Sequence, residues 1–323
     1  MQDKVIIAVV GMHRSGTSLL ARGLKAAGLH VGNHLMPPSS DNPTGYWEDE
    51  AVVAINDKIL GCFACDERSL RWIDEADLDR PEVRSLRDEA RALILSRLEH
   101  HTHWAFKDPR TARLLPFWRG LFQELGIRDT YVIALRNPID SIQSYRSRHH
   151  RSVHPVSKTW GYLLWMEYML TAVYWTRDSS AVVVDYDNLL ARPEREILRV
   201  VDALSLADHA WEGSDLNEFS TKFVDKNLQH FRSNEPCVQK CEDLLPMVSK
   251  AYSILRASSL KNGKFNYFDD RQSWEDSVTA FRVMSPAVVE LTKDFETFRL
   301  TWQHKFMKLR LGLRTIRKFA GLS

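Results

Sequence analysis

The sequence predicts an α/β protein: a phosphate-loop-like parallel sheet flanked by helices, with a long helical extension at the C-terminal end. Two observations carry this. Four apolar runs of strand length are each followed by a helical pattern, and the residues with chemical potential stand just beyond those runs. Such alternation packs helices on both faces of a parallel sheet, whose ligands bind at the carboxyl ends of the strands.

The runs are Val5–Val10, Trp104–Phe106, Tyr131–Leu135 and Ala181–Val184. After the first, a helix is expected from Thr17 to Ala27, closed by Gly28. After the third, Asn137 and Pro138 suit an N-cap and first helical residue. After the fourth, Pro193 opens a helix to about Leu206. Between these units lie a loop, Met36–Tyr46, and a charged insert expected to be helical over residues 66–98. Trp160–Trp175 is aromatic-rich at helical spacing and reads as a core helix. One α/β domain is expected over residues 1–270, followed by a helical segment over residues 274–323.

Composition narrows the function classes. The chain has 323 residues, 44% hydrophobic and 27% charged, an ordinary globular balance. Lys plus Arg number 44 against 42 Asp plus Glu, which argues against a dedicated nucleic-acid binder. Four cysteines make no disulfide framework. The apolar run at the N-terminus is too short for a signal peptide or a membrane span, so a cytoplasmic protein is expected.

The first run leads into Gly11, Met12, His13, Arg14, Ser15, Gly16, Thr17 and Ser18. Two glycines at this spacing, between a strand and a helix, let successive N–H groups point at an anion on the helix N-terminus. His13, Arg14, Ser15, Gly16, Thr17 and Ser18 are therefore the candidate anion-binding residues. Thr17 stands where a nucleotide-hydrolysing loop carries its lysine, so Arg14 is the nearby cation. An acid to hold Mg²⁺ has only Asp185 as a candidate, and the third run ends in Arg136 instead. ATP chemistry normally needs such a metal, whereas a sulfuryl group carries less charge. Arg136 and Ser144, eight residues apart across a strand–helix join, form a second candidate anion site.

Together these segments resemble the sulfotransferase family that uses 3′-phosphoadenosine 5′-phosphosulfate (PAPS) and releases 3′-phosphoadenosine 5′-phosphate (PAP). The likeness spans about residues 4–235. It implies that the glycine loop grips the 5′-phosphosulfate and that Arg136 and Ser144 grip the 3′-phosphate. It also implies that Tyr186, in the stretch from Val184 to Pro193, approaches the adenine, and that Lys107, in the stretch Phe106–Arg110, faces the cofactor. Three departures stand out. Arg14 replaces the lysine of the cytosolic aryl and steroid enzymes and looks more like the bacterial and Golgi-type carbohydrate and tyrosine enzymes. Pro109 occupies the place of their catalytic histidine and cannot act as a base. Their late glycine-rich 3′-phosphate loop is not evident, leaving residues 223–232 to take that role.

A base is then needed. Glu48, Asp49 and Glu50 follow the aromatic pair Tyr46 and Trp47, with Asp108, Asp41 and His13 behind them. Aromatic faces stack on sugars, and a desolvated carboxylate gains basicity, although acids also suit a helix N-terminus. Glu48 is favoured because related bacterial and Golgi-type enzymes resemble it in using a Glu downstream of the loop. Arg14 and Lys107 would stabilise the charge that develops during transfer. The expected reaction is metal-independent sulfuryl transfer from PAPS to a hydroxyl acceptor, a carbohydrate, glycolipid or small metabolite. A phosphate-loop kinase using ATP and Mg²⁺, or a non-catalytic nucleotide-binding module, is the alternative.

Other signals are set aside. The pairs Cys62/Cys65 and Cys237/Cys241 lack zinc-knuckle turns, and the histidines at 100, 101, 103, 149 and 150 are expected to face solvent. Met284, Val288, Leu291, Phe295 and later apolar residues to Ala320 form a seam of threes and fours, and residues 305–318 are basic without an acid. That segment would serve dimerisation, a membrane surface, or packing on its own domain.

Overall fold

The computed structural model describes residues 4–39, 42, 44–148, 156–209, 215–224, 238, 241, 244–292 and 294. Its centre is a parallel sheet in the order β2-β1-β3-β4. The strands are β1 (Val5–Val10), β2 (His103–Lys107), β3 (Arg128–Leu135) and β4 (Ser180–Asp185). All four apolar runs are strands. Three of them extend beyond the apolar stretch because polar residues also pair through the backbone, as in Val5↔His103, Val5↔Arg128 and Thr130↔Ser180.

Every residue of β1 is buried, as a central strand covered on both faces requires. The two-residue alternation splits its side chains between two cores. Ile6, Ala8 and Val10 join Tyr131, Ile133 and Leu135 on one face, while Val5, Ile7 and Val9 join Val132 and Ala134 on the other.

Eight helices are described up to residue 203: α1 (Thr17–Ala26), α2 (Glu50–Cys62), α3 (Pro81–Arg97), α4 (Leu115–Glu124), α5 (Pro138–Arg148), α6 (Lys158–Trp175), α7 (Tyr186–Ala191) and α8 (Pro193–Ala203). Leu20 and Leu24 of α1 pack with Ile197, Val200 and Val201 of α8 on one face of the sheet. The other face carries a thicker layer, with Ile55 of α2, Trp118 of α4, Trp165 of α6 and Val248 of the helix Pro246–Ser259 in one core. α5 starts as expected, with the Ile139 amide donating to Asn137 Oδ1 at 2.9 Å. α6 is the expected core helix. Among the described residues no helix is long and apolar enough to cross a membrane.

Two expectations change. The insert is not helical from residue 66: Asp66 Oδ1 accepts from the Arg68 amide and from Ser69 Oγ, each at 2.9 Å. That local side-chain bonding competes with helix formation, so only a 3₁₀ turn at Glu75–Asp79 and α3 are helical there. Nor do all the histidines face solvent. His103 opens β2, is buried, and accepts the His30 amide on Nε2 at 2.9 Å, whereas His100 and His101 are exposed as expected. The residues at 149 and 150 lie outside the described residues, as do Asp41 and Cys237.

Residues 271–292 are helical. Trp274, Val278 and Phe281, spaced four and three, enter the core of the α/β domain. One turn on, Ser285 Oγ accepts the Trp72 amide and donates to the Leu70 carbonyl, each at 2.9 Å. Met284 and Val288 of the expected seam pack against the same core, whereas Leu291 is 68% exposed. The seam from Phe295 onward and the basic stretch 305–318 lie outside the described residues.

Removing the Phe281 ring would leave a cavity where this helix meets the domain. Phe281→Ala is expected to lower unfolding stability by about 3–5 kcal/mol, measured by urea titration.

Candidate active site

Parallel pairing in register brings the carboxyl ends of all four strands to one edge: Val9 lies opposite Lys107, Val10 opposite Ile133, and Leu135 opposite Asp185. β1 therefore runs into the glycine loop, β2 ends on Lys107, β3 gives onto Arg136 and β4 onto Tyr186. The chain passes from β1 to β2 on one side and to β3 on the other. This makes the β1/β3 gap the switch point, where open α/β sheets bind ligands.

The loop needs its glycines. Gly11 has φ 140°, and a Cβ there would stand 2.7 Å from the Ala134 carbonyl oxygen. Gly16 has φ 88°, and its Cβ would stand 2.5 Å from the Tyr186 ring. Close approach and left-handed backbone both exclude a side chain. α1 begins directly after Gly16 with no side-chain cap and no acid in its first turn. Its N-terminal amides are thus presented for an anion.

Arg14, also left-handed at φ 68°, is held from two sides. Its Nε donates to Ser144 Oγ at 3.0 Å, and its carbonyl accepts from Arg136 Nη1 at 3.0 Å. The Arg136 guanidinium lies 4.5 Å from the centre of the Tyr186 ring. The fold thus brings Arg14, Arg136, Ser144 and Tyr186 into one cluster. Ser15 and Thr17 are buried in the loop, with Ser15 Oγ 3.5 Å from Ser141 Oγ. Ser18 turns away to donate from Oγ to the Tyr46 carbonyl at 3.1 Å.

Beside the loop, Glu48 and Lys107 form a buried ion pair at 2.5 Å, with 8% and 2% of each residue exposed. Burial pushes the Glu48 carboxyl above its ordinary pKa, against the pull of the Lys107 ammonium. Arg110 Nη2 stands 3.9 Å from the other Glu48 oxygen. Arg110 is itself engaged by Asp108, at 2.9 Å, and by Asp57. Asp108 also accepts from Asn56 Nδ2 at 2.9 Å, and Arg110 holds its carboxyl below the ordinary range despite burial.

The remaining base candidates have other partners. Asp49 caps α2 by accepting the Ala51 amide and takes Arg97 Nε at 2.7 Å, so it is tied into the structure. Glu50 is exposed on the first turn of α2. The His13 ring lies by Tyr168, at 5.7 Å between centroids, and Tyr145, at 6.1 Å. Its Nε2 stands 3.6 Å from Glu67 Oε2, and burial lowers its pKa to about 4. Sequence reasoning gave no role to Arg110, Glu67 or Asn56, whose contacts cross between distant elements. Arg22 and Lys25 left a signal it passed over: they follow Ser18 at helical spacing and meet Trp47.

A glycine loop on an open helix N-terminus, at the switch point of a parallel sheet and ringed by arginines, defines an α/β protein suited to holding an anionic ligand. The chain belongs to the sulfotransferase family: residues 7–212, well over half of it, match the model described as the Sulfotransferase family. That membership supports a transferase acting on sulfuryl groups. Among solved structures it is similar to the sulfotransferase domain from the Synechococcus PCC 7002 olefin synthase, at 16% identity and a TM-score of 0.42, covering 78% of this chain and 95% of that one. It is also similar to the sulfotransferase domain from the curacin biosynthetic pathway, at 13% identity and a TM-score of 0.44, covering 79% and 99%. No curated protein matches.

His13 gives this site a pH signature. In the folded protein it stays neutral down to about pH 4, while the unfolded chain takes up the proton near pH 6.5. The contribution of His13 to stability therefore falls as pH falls through that window. Glu167, raised to about 7 by burial, and Asp185, raised to about 6 by burial, act in the opposite sense but are common to wild type and a His13 variant. Between pH 6.5 and 4, wild type is expected to lose about 2–3 kcal/mol more stability than His13→Gln, measured by urea midpoints across pH.

Proposed function

We propose that this chain transfers a sulfuryl group from PAPS to a hydroxyl acceptor. The observation supporting this most strongly is the convergence of Arg136 and Ser144 on Arg14, within the glycine loop and next to Tyr186. Two anion sites flanking an aromatic face fit a nucleotide charged at both ends. The left-handed turn at Gly16 and the uncapped start of α1 fit its phosphosulfate end.

When bound, PAPS supplies an activated sulfuryl group on a phosphate leaving group. Arg14 and the amides of residues 15–18 would hold that end and stabilise charge on it. Arg136 and Ser144 would hold the 3′-phosphate, and Tyr186 would face the adenine. Lys107 balances Glu48 in the structure. An anion placed against Lys107 competes for its ammonium, which strengthens Glu48 as a base where an acceptor hydroxyl must lose its proton. A carbohydrate, glycolipid or small metabolite is the proposed acceptor. A cytoplasmic location, with residues 305–318 meeting a membrane surface or a second copy, belongs to the same proposal.

Asp185 bears on the kinase alternative. Its carboxyl caps α7 through the amides of Asp187 and Asn188, at 3.0 and 3.1 Å, and lies 3.7 Å from Arg256. The one acid suggested for Mg²⁺ is thus engaged by the fold.

Thermal melting with PAP, with ATP and Mg²⁺, and with buffer tests the reading, because a ligand of the native state raises the midpoint. PAP is expected to stabilise; stabilisation by ATP and Mg²⁺ alone would overturn it. With an acceptor found by screening labelled-sulfate transfer, Arg14→Ala should lower turnover by about 10²-fold and Glu48→Gln by about 10²–10⁴-fold. Wild-type turnover in a folded Glu48→Gln protein would remove Glu48 as the base.

A further inference from the structure

The residue before Glu48 lies where three elements meet. Trp47 has a left-handed backbone, φ 58°, which a bulky side chain adopts only when its surroundings over-determine it. Those surroundings are built by α1. Ser18, Arg22 and Lys25, spaced four and three, share one face of that helix. Ser18 Oγ donates to the Tyr46 carbonyl at 3.1 Å, and the Arg22 guanidinium and Lys25 ammonium lie 5.4 and 5.3 Å from the Trp47 ring centroid. The indole N–H donates to the Thr44 carbonyl at 2.9 Å, closing the turn onto itself. Phe223 meets the same ring edge-on at 5.9 Å, and Arg22 is held by Asp215 at 3.0 Å.

One residue further on, the carboxylate of Glu48 reaches Lys107, while its carbonyl accepts the Met36 amide at 2.8 Å. The left-handed turn thus separates two neighbouring side chains, the indole going to α1 and the carboxylate to the end of β2.

We infer that Trp47 is a positioning residue: clamped onto the cationic face of α1, it holds the turn that delivers Glu48 to Lys107. The helix that opens at the glycine loop therefore also sets the base. This rests on the reading of Glu48 given above, and the reaction itself is unchanged.

Three substitutions separate this role from simple packing. Phe keeps a ring for the cations, Asn tolerates the left-handed backbone without a ring, and Val resists that backbone. Packing alone would rank the variants by apolar volume, with Val above Asn. Positioning reverses that pair. With PAPS and the screened acceptor, kcat is expected within about 3-fold of wild type for Trp47→Phe, about 10-fold lower for Trp47→Asn and about 10²-fold lower for Trp47→Val, the scale of a small misplacement of a reacting group. PAP affinity, which also reports folding, should stay within about 3-fold in all three, because the groups that the Trp47 side chain meets, Arg22, Lys25, Phe223 and the Thr44 carbonyl, are none of those placed on PAP.

Two further readouts apply. Hydrogen exchange at the amides of Met36 and Glu50, which donate to the carbonyls of Glu48 and His34, should quicken in the order Phe, Asn, Val. The charged groups facing Glu48 are Lys107, Asp108 and Arg110, and burial is the largest influence on it. Its release should therefore move the acidic limb of the kcat profile to lower pH in the Val variant. A ranking by volume, or wild-type kcat and exchange in both Asn and Val variants, would overturn the inference. If Glu48→Gln is impaired while Trp47→Val is not, only the positioning role is lost; full activity in Glu48→Gln removes the base reading itself.

Discussion

The contact on which the rest of the site depends is that between Arg136 and the carbonyl of Arg14. It ties the end of β3 to the middle of the loop that follows β1, and it does so at the sheet's switch point. Arg14 is left-handed, so its carbonyl is available to Arg136 while its guanidinium swings to Ser144. A single residue thereby joins three elements, β3, α5 and the loop. Tyr186, beneath Gly16 and beside Arg136, completes the wall from β4.

Beside the loop, charge is balanced in pairs. Lys107 faces Glu48, and Arg110 is shared among Asp108, Asp57 and, more distantly, Glu48. Buried ions are costly unless paired and hydrogen-bonded, and Lys107 and Arg110 each have an acid close by. On the proposed reading, one of these pairs is adjustable. Lys107 stands opposite Val9 of β1, and a new anion at Lys107 would alter the basicity of Glu48.

The strands were legible from their apolar runs, and the N-cap of α5 from Asn137 and Pro138, because both rest on short-range patterns. The glycine loop was legible for the same reason: positive φ at Gly11 and Gly16 is a local requirement with few chemical solutions. The stretch after Asp66 misled, since its charged residues fit a helix while Asp66 bonds its own neighbours. Glu48, Asp49 and Glu50 could not be ranked in one dimension. They are consecutive acids with three fates, one facing Lys107, one capping α2 and pairing with Arg97, and one facing solvent.

By itself the sequence determined the alternation of strand and helix, the glycine turn between the first strand and its helix, and a family resemblance carried by Gly11 to Ser18, Arg136 and Ser144. Periodicity and turn chemistry act over a few residues, so they survive in the linear order. Only the tertiary structure decided which acid meets Lys107, that the His13 ring stands beside Glu67 and two tyrosines, and that the C-terminal helix places Trp274, Val278 and Phe281 in the domain's core. These outcomes depend on burial and on partners more than fifty residues away, and distance in space is fixed by packing rather than by local order.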